Sequence, residues 1–366
     1  MLIGIDASRA NITEKTGVEW YGYHVIKELA KLDHSNRYRL YSWEPLTGGL
    51  SGLPDNFENV VVPNRRFWPH TALSAELKRN PVDRLFIPSH IVPRVHPERT
   101  TVAIHDLGFR QFRANYTRYH YLSLSLGTKW SAKWAHQILA LSQTVAGEIA
   151  HTYDVAPSKI TVVPPGYDPA MFKGVTSGVV MDVLGEYHVK DPYLLYLGRL
   201  ESRKNVTRLI EAFYRLTDSG LFGGQLVLAG HPGVGYEEIR ALIGKQRYAG
   251  QVVHTGYVSD RARAALLRGA RAFVFPSLHE GFGIPILEAF AAGTPVLTSK
   301  QGATAEVATG AAWLVDPESV EEIHHGMQQL LSDQPLVERL TAAGAERLRH
   351  YGWDKTAAAV HRVLAS

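Results

Sequence analysis

Residues 275–289 read Phe-Pro-Ser-Leu-His-Glu-Gly-Phe-Gly-Ile-Pro-Ile-Leu-Glu-Ala, and in this stretch an apolar strand gives way to a helix. Pro285 suits the first turn of a helix, because the N–H that proline lacks would have no partner there. Gly281 and Gly283 allow the preceding backbone to bend and to approach a ligand closely. The stretch therefore predicts a helix N-terminus whose amides, near Gly283 and Ile284, bind an anion such as phosphate.

Two carboxylates border the same helix start. Glu280 precedes the predicted helix, and Glu288 lies about one turn inside it. Carboxylate oxygens accept hydrogen bonds from hydroxyl groups, so a phosphate site flanked by two glutamates is suited to a sugar nucleotide. The alternative is structural: Glu288 would be a partner of the helix dipole, and Glu280 a solvated loop residue.

A basic stretch lies at the end of another predicted strand. Residues 197–205 read Leu-Gly-Arg-Leu-Glu-Ser-Arg-Lys-Asn and place Arg199 and Lys204 at the carboxyl end of that strand. Ligands of open α/β sheets bind at this end of the strands. Two cations there would face the two phosphates of a diphosphate, whereas the alternative is a basic turn on the surface.

Along the whole chain, short apolar runs alternate with stretches in which apolar residues recur at helical spacing. This pattern favours parallel, doubly wound sheets. The predicted strands are Leu2–Ile5, Tyr38–Tyr41, Val60–Val62, Leu85–Ile87, Thr101–Ile104, Gln137–Leu141, Ile160–Val163, Tyr193–Leu197, Gln225–Ala229, Val252–His254, Ala272–Phe275, Pro295–Thr298 and Trp313–Val315. Three prolines and a glycine interrupt the pattern at 163–169. We therefore predict two Rossmann-like domains facing each other across a cleft, residues 1–172 and 173–349.

Composition excludes several classes of protein. The 39 Lys and Arg against 35 Asp and Glu leave a net charge of +4 over 366 residues, which does not indicate nucleic-acid binding. Cysteine is absent, so disulfides, thiolate catalysis and thiolate zinc sites are excluded. The chain contains no run of 18 apolar residues, so no membrane-spanning helix is predicted. No leader of signal type is visible at the start. We expect a cytoplasmic protein.

The segment 110–134 mixes cations with aromatic residues. Such a segment is suited to a membrane surface, here the inner face, or to a carbohydrate acceptor. The alternative is that its aromatic rings pack on the sheet and its charges are solvated. The members of the mixture are Arg110, Arg113, Tyr116, Arg118, Tyr119, Tyr121, Lys129, Trp130, Lys133 and Trp134.

Taken together, these motifs resemble the retaining glycosyltransferases of family 4, also called glycosyl transferases group 1, over essentially the whole chain. The resemblance implies the GT-B fold and a terminal helix, residues 350–366, that crosses back to the first domain. The segments that carry it are Gly17-Val18, His105-Asp106, Gly198-Arg199-Leu200 through Lys204-Asn205, Ala229-Gly230, and the pair Glu280 and Glu288.

The resemblance also implies roles for single residues. Arg199 and Lys204 would hold the diphosphate, Glu280 the transferred sugar and Glu288 the ribose, while His105 would face the sugar. A histidine at a strand end also has a structural alternative, namely a ring that is satisfied by its own surroundings. The other expected donor-site residues are Gly17, Gly198, Gly230, Val258, Gly281, Phe282, Gly283 and Ile284.

The function expected from the resemblance is metal-independent transfer of a hexose, of the mannose or glucose type, with retention of configuration. The donor would be a nucleoside diphosphate sugar, with UDP and GDP both suitable, and the acceptor a hydroxyl of a carbohydrate or lipid-linked glycan. No further cofactor is expected, and no Asp-x-Asp metal motif follows any predicted strand. The alternatives are a nucleotide-sugar epimerase, a phosphorylase that uses pyridoxal phosphate, and a non-catalytic sugar-nucleotide-binding protein.

Overall fold

Thirteen strands form two sheets in which every paired neighbour is parallel, one sheet in each of two units. A computed structural model describes residues 1–366. The first unit consists of residues 1–166 and 351–366, and the second of residues 167–350.

The first unit contains a seven-stranded sheet in the order β3-β2-β1-β4-β5-β6-β7. Helices cover both faces of the sheet, and Ile3, Ile5 and Leu85 are fully buried in its centre, as expected for parallel strands. The strands are β1 Leu2–Asp6, β2 Arg37–Ser42, β3 Phe57–Val61, β4 Arg84–Ile87, β5 Thr100–Ile104, β6 Gln137–Ala140 and β7 Ile160–Val162. The helices are α1 Gly17–Leu32, α2 Ala72–Arg79, α3 Gly108–Gln111, α4 Arg118–Trp134 and α5 Gln143–Tyr153.

The second unit contains a six-stranded sheet in the order β10-β9-β8-β11-β12-β13. Its strands are β8 Tyr193–Leu197, β9 Gln225–Ala229, β10 Val252–Gly256, β11 Ala272–Phe275, β12 Val296–Ser299 and β13 Trp313–Val315. Its helices are α6 Ser177–Glu186, α7 Val206–Asp218, α8 Tyr236–Ile243, α9 Asp260–Gly269, α10 Ile284–Ala292, α11 Gly302–Ala308, α12 Val320–Ser332 and α13 Gln334–Leu348. The strand order reverses between β8 and β11, so the loops after these two strands border the crevice where such sheets bind ligands.

The last helix, α14 Trp353–Ala365, belongs to the first unit and packs against α1. The Trp353 ring stacks on His24 with ring centroids 4.7 Å apart, and His361 Nε2 lies 3.0 Å from Asp33 Oδ2. Every strand expected from the sequence is present; β8, β9, β11 and β13 have the expected ends, and the ends of the others differ by at most three residues. No helix combines the length and the apolar character that crossing a bilayer requires.

Candidate functional site

The loops after β8 and β11 meet at an ion pair. Because β8 and β11 pair side by side, the residues that follow them are brought together. Lys204 Nζ donates a hydrogen bond to Glu280 Oε1, which also accepts one from Ser277 Oγ at 2.8 Å. Arg203 Nη1 lies 3.7 Å from the other oxygen of Glu280. The side chains of Lys204 and Glu280 are only 14% and 10% exposed.

Backbone contacts fix the two loops to each other. The Leu278 amide donates to the Arg203 carbonyl at 3.1 Å, and Arg203 Nη1 donates to the His279 carbonyl at 2.9 Å. Asn205, buried and at a φ of +63°, donates from Nδ2 to the Pro276 carbonyl at 2.9 Å. Asparagine tolerates this left-handed conformation better than most residues, so it can end the short 3₁₀ turn Ser202–Lys204 and begin α7.

Charge and burial act in opposite directions on Glu280. Burial favours the neutral acid, but the neighbouring Lys204 and Arg203 and the Ser277 hydroxyl hold the pKa of Glu280 below its usual value. The carboxylate is therefore ionised, and it offers acceptor oxygens to the hydroxyl groups of a ligand. Of the two cations beside it, Arg203 also pairs with Glu201 Oε1 at 3.1 Å, so Lys204 is the one expected to contact an anionic ligand.

Helix α10 begins directly after this ion pair. Gly283 precedes it at a φ of +112°, a conformation that side-chain-bearing residues rarely adopt. Pro285 is the second helical residue, where the missing N–H costs nothing. In this first turn the Ile286 amide donates to the Gly283 carbonyl at 2.9 Å, so the Ile284 amide is the one that the sequence prediction of a phosphate site concerns.

Glu288, one turn into α10, is buried and incompletely satisfied. Its Oε1 lies 3.4 Å from Arg263 Nη1 on α9, and its side chain is 6% exposed. Its Oε2 is buried without a hydrogen-bond partner. Burial raises the pKa of Glu288 above its usual value, although Arg263 opposes the shift. An orphaned buried oxygen of this kind is ready to accept a hydrogen bond from a ligand.

The glycine-rich loop after β9 packs against the loop after β8. A Cβ on Gly230 would lie 2.0 Å from the Gly198 carbonyl oxygen, and both glycines have positive φ, +153° and +148°. The Leu200 amide donates to the His231 carbonyl at 2.9 Å, and the Gly233 amide to Leu200 at 2.8 Å. Close backbone packing therefore requires glycine at 230, and the positive φ favours glycine at 198; their expected contact with the donor remains a prediction.

His105 follows β5 in the first unit and is buried. Its Nε2 lies 2.7 Å from the Pro88 carbonyl, and a carbonyl only accepts, so Nε2 carries the proton and Nδ1 is the acceptor. Burial lowers the pKa of His105, which keeps the ring neutral. Its ring lies edge-on to Tyr21, with centroids 5.0 Å apart, and Gly17 begins α1 in the same unit.

Two family models match separate parts of the chain. The model described as Glycosyltransferase Family 4 matches residues 15–171, and the model described as Glycosyl transferases group 1 matches residues 186–347. The chain belongs to the family 4 glycosyltransferases. The family resemblance expected from the sequence is confirmed.

Relatives with curated names match about half of this family 4 chain. It is 34% identical over 175 residues, 48% of its length, to the O-antigen chain mannosyltransferase B of Escherichia coli, of which 46% is covered. It is 30% identical over 174 residues, 47% of its length, to a GDP-mannose-dependent alpha-(1-6)-phosphatidylinositol dimannoside mannosyltransferase of Mycobacterium tuberculosis, of which 44% is covered. The chain thus spans about half the length of these two relatives.

Among solved structures, the family 4 chain resembles WaaG, a glycosyltransferase involved in lipopolysaccharide biosynthesis. The TM-score is 0.75 at 20% identity, and the whole of each chain is covered. The expected GT-B fold, with two doubly wound parallel sheets, is confirmed.

Not every predicted site residue of this family 4 chain lies in one cluster. Lys204, Glu280 and the start of α10 come together, whereas Arg199 is exposed and its Cγ would lie 2.8 Å from a Cβ on Gly233. Phe282 and Val258 are buried beside α10 and α9 respectively. Sequence reasoning missed Arg203 and Arg263, which contact the two glutamates. No group of three or more His, Cys, Asp or Glu side chains is arranged to hold a metal ion.

Proposed function

We propose that this protein transfers a mannose-type hexose from a nucleoside diphosphate sugar to a hydroxyl group of a glycan acceptor, with retention of configuration. The observation that carries the proposal is the buried Lys204–Glu280 pair at the start of α10, beside the orphaned oxygen of Glu288. The names of the relatives, which are mannosyltransferases, favour mannose over glucose.

The proposed chemistry needs positioning and charge more than a nucleophile. The bond between the sugar C1 and the diphosphate oxygen breaks, and the acceptor oxygen bonds to C1 on the same face. The acceptor proton passes to the departing diphosphate, so a glycoside and a nucleoside diphosphate are formed. Lys204 and the amides of α10 stabilise the negative charge that develops on the diphosphate. Glu280 accepts hydrogen bonds from the sugar hydroxyls, and Glu288 from the ribose.

No metal ion is required in this proposal, because Lys204, Arg199 and the amide at the start of α10 supply positive charge to the diphosphate, whereas Arg203 is paired with Glu201 at 3.1 Å. Metal-dependent transferases use the ion as a charge clamp on the leaving diphosphate. The initial rate in EDTA should therefore equal the rate in Mg²⁺ or Mn²⁺. A rate that EDTA abolishes and either ion restores would contradict metal independence without contradicting sugar transfer.

We further propose that α4 holds the protein against the cytoplasmic face of a membrane. Its 17 residues include no Asp or Glu. Tyr119, Leu122, Leu126 and Trp134 are 47% to 66% exposed, with Tyr119 at 66% and Leu126 at 65%. Cationic segments are attracted to the anionic lipids of the cytoplasmic leaflet, and exposed apolar side chains insert at the interface.

The decisive experiment measures donor turnover with and without an acceptor. The protein is incubated with GDP-mannose or UDP-glucose and a panel of mannosyl glycans, and release of the nucleoside diphosphate is followed. Acceptor-dependent release, with a retained anomeric configuration in the product NMR spectrum, supports the proposal. Acceptor-independent conversion of the sugar would indicate an epimerase, and a pyridoxal chromophore a phosphorylase. Binding without turnover on any acceptor would indicate a binding protein.

A further inference from the structure

A second polar cluster in the second unit contains buried atoms that lack hydrogen-bond partners. Arg263 on α9 faces Glu288 on α10 across 3.4 Å, longer than the roughly 2.7 to 3.2 Å of a well-formed N–H···O bond. Besides the orphaned Oε2 of Glu288, Arg263 Nε is buried without a hydrogen-bond partner. Buried polar groups in native proteins almost always have a hydrogen-bond partner. Two orphans side by side indicate that a ligand completes the cluster.

Arg263 is held in one orientation by its own helix. Its Nη2 donates to Asp260 Oδ1 at 3.0 Å, and its side chain is 26% exposed, so it faces Glu288 without being sealed from a ligand. Helix α9 follows β10 through the loop 257–259, in which Val258 is buried. Arg263 thus lies between the carboxylate proposed for the ribose and the loop that leads out of β10.

We propose that Arg263 reads the nucleobase of the donor and selects guanine. This inference rests on the proposed function, because it takes the ribose to lie at Glu288. A base attached to that ribose lies within reach of the neighbouring side chain on α9. Arg263 would then be a specificity-determining residue, which the sequence motifs do not mark.

The chemistry of the guanidinium favours guanine over the other bases. A guanidinium only donates hydrogen bonds, and guanine presents two adjacent acceptors, O6 and N7, which arginine contacts with two parallel bonds. Adenine places an amino donor beside N7, and uracil has no second acceptor adjacent to O4. Asp260, an acceptor beside Arg263, matches the N–H groups on the next edge of guanine. Arg263 and Asp260 therefore complement guanine and neither adenine nor uracil.

The competing explanation is that Arg263 is only a counter-ion for Glu288. In that case its loss would weaken every nucleotide equally, because all of them share the ribose. The ratio of the affinities for different bases therefore separates the two roles. A loss of affinity for all nucleotides does not.

The test compares the affinities of GDP, UDP and inorganic diphosphate by calorimetry. The variants are Arg263→Lys, which keeps the charge beside Glu288 but not the paired donors, and Arg263→Met. The matched control is Arg261→Met, two residues earlier on the same helix and exposed. Thermal unfolding shows whether each variant is folded. If Arg263→Met does not fold, Arg263→Lys alone carries the test.

We expect the native protein to bind GDP at least about tenfold more tightly than UDP, and Arg263→Lys to lower that ratio by about tenfold. Diphosphate affinity and the Arg261→Met ratio should stay unchanged. Equal GDP and UDP affinities in the native protein, or an unchanged ratio in both Arg263 variants, would overturn the inference. GDP selectivity that depends on Arg263 without any sugar transfer would refute the proposed function alone, and absence of nucleotide binding would refute both.

Discussion

At the scale of single residues, Lys204 and Glu280 each neutralise a charge that would be costly alone at their degree of burial. Removing one partner of a buried pair costs more than the pair contributes, because the other charge is left unpaired. Arg199 has no such partner among the two glutamates and is exposed. The two cations expected to bind the diphosphate therefore differ in what they do for the fold.

This difference gives the first prediction. Lys204→Ala should lower kcat/KM by about thirtyfold or more and also reduce the free energy of unfolding of the protein by about 3 kcal/mol. Arg199→Ala should lower kcat/KM while leaving the free energy of unfolding within about 0.5 kcal/mol of the native value. Steady-state kinetics and urea unfolding measure the two effects. Near-normal kcat/KM in both variants would remove both residues from the diphosphate site.

The titration of His90, together with that of the neighbouring His105, should make stability depend on pH in weak acid. His90 is half-buried and lies against His105, with ring centroids 5.5 Å apart and a backbone φ of +44°. Burial lowers the pKa of His90 to about 4. His105 and Arg9 act in the same direction, and Asp106 opposes them. The unfolded chain takes up the proton near pH 6.5. The folded state therefore keeps its full stability above about pH 6.5 and loses it as the pH falls toward 4.

His90→Asn tests this linkage, because asparagine has no titratable group and tolerates positive φ. Between pH 7 and pH 5, the native protein should lose on the order of 1 kcal/mol of unfolding free energy that His90→Asn does not lose. The comparison is made by urea unfolding at both pH values. His34→Asn, at an exposed position, is the control and should behave as the native protein does. An identical pH dependence in His90→Asn would exclude His90 as the source.

Residue-level prediction succeeded where spacing fixes the geometry. The glycines and Pro285 around the start of α10 specify a helix N-terminus, and Glu280 must then lie just before it. Arg203 and Arg263 were missed for a physical reason. In the 3₁₀ turn Ser202–Lys204 successive side chains point about 120° apart, so sequence alone does not show which cations face inward. Nothing local to α9 indicates that Arg263 meets a glutamate 25 residues later.

At the scale of elements, α4 buries some of the aromatic and apolar residues of the segment 110–134 and exposes others. Tyr121 and Trp130 pack against the core of the first unit, while Tyr119 and Leu126 are exposed. The sequence predicts a helix here but not its buried face, because apolar residues occur on all sides of it. The core face is set by Gly127, whose Cα allows Ile91 to pack closely, a tertiary contact that no local pattern encodes.

The exposed face of α4 leads to the next prediction. The protein should sediment with anionic phosphatidylserine vesicles at low salt and be released as the ionic strength rises. Lys129→Gln with Lys133→Gln should weaken binding by roughly thirtyfold, from about 1 kcal/mol per cation. Leu122→Ser with Leu126→Ser should weaken binding that persists at high salt. Met181→Ser, equally apolar and exposed but on α6, is the control. Absence of sedimentation at low salt would exclude membrane binding through α4.

At the scale of the whole molecule, the chain enters the second unit and then returns to the first. The domain boundary expected after residue 172 differs from the observed division at residue 166. The 3₁₀ turn Pro169–Phe172 packs against α9 and α10, which places it in the second unit. The prolines at 164 and 165 mark a break in the sequence pattern, but which side the next residues pack on depends on contacts about 100 residues away.

The return of α14 makes the stability of the first unit depend on the last residues of the chain. Trp353 is buried against His24 and Tyr21 of α1, and a Cβ on Gly166 would lie 2.2 Å from its backbone nitrogen. Trp353→Ala should therefore reduce the unfolding free energy of the first unit by about 3 to 5 kcal/mol. Amide hydrogen exchange should quicken in α1 and in strands β1 and β2, while strands β8–β12 keep their protection. Trp134→Ala, an exposed tryptophan of the same unit, should change neither measurement by more than about 0.5 kcal/mol. Equal losses in the two variants, or exchange that quickens in both units together, would show that α14 does not act through the first unit.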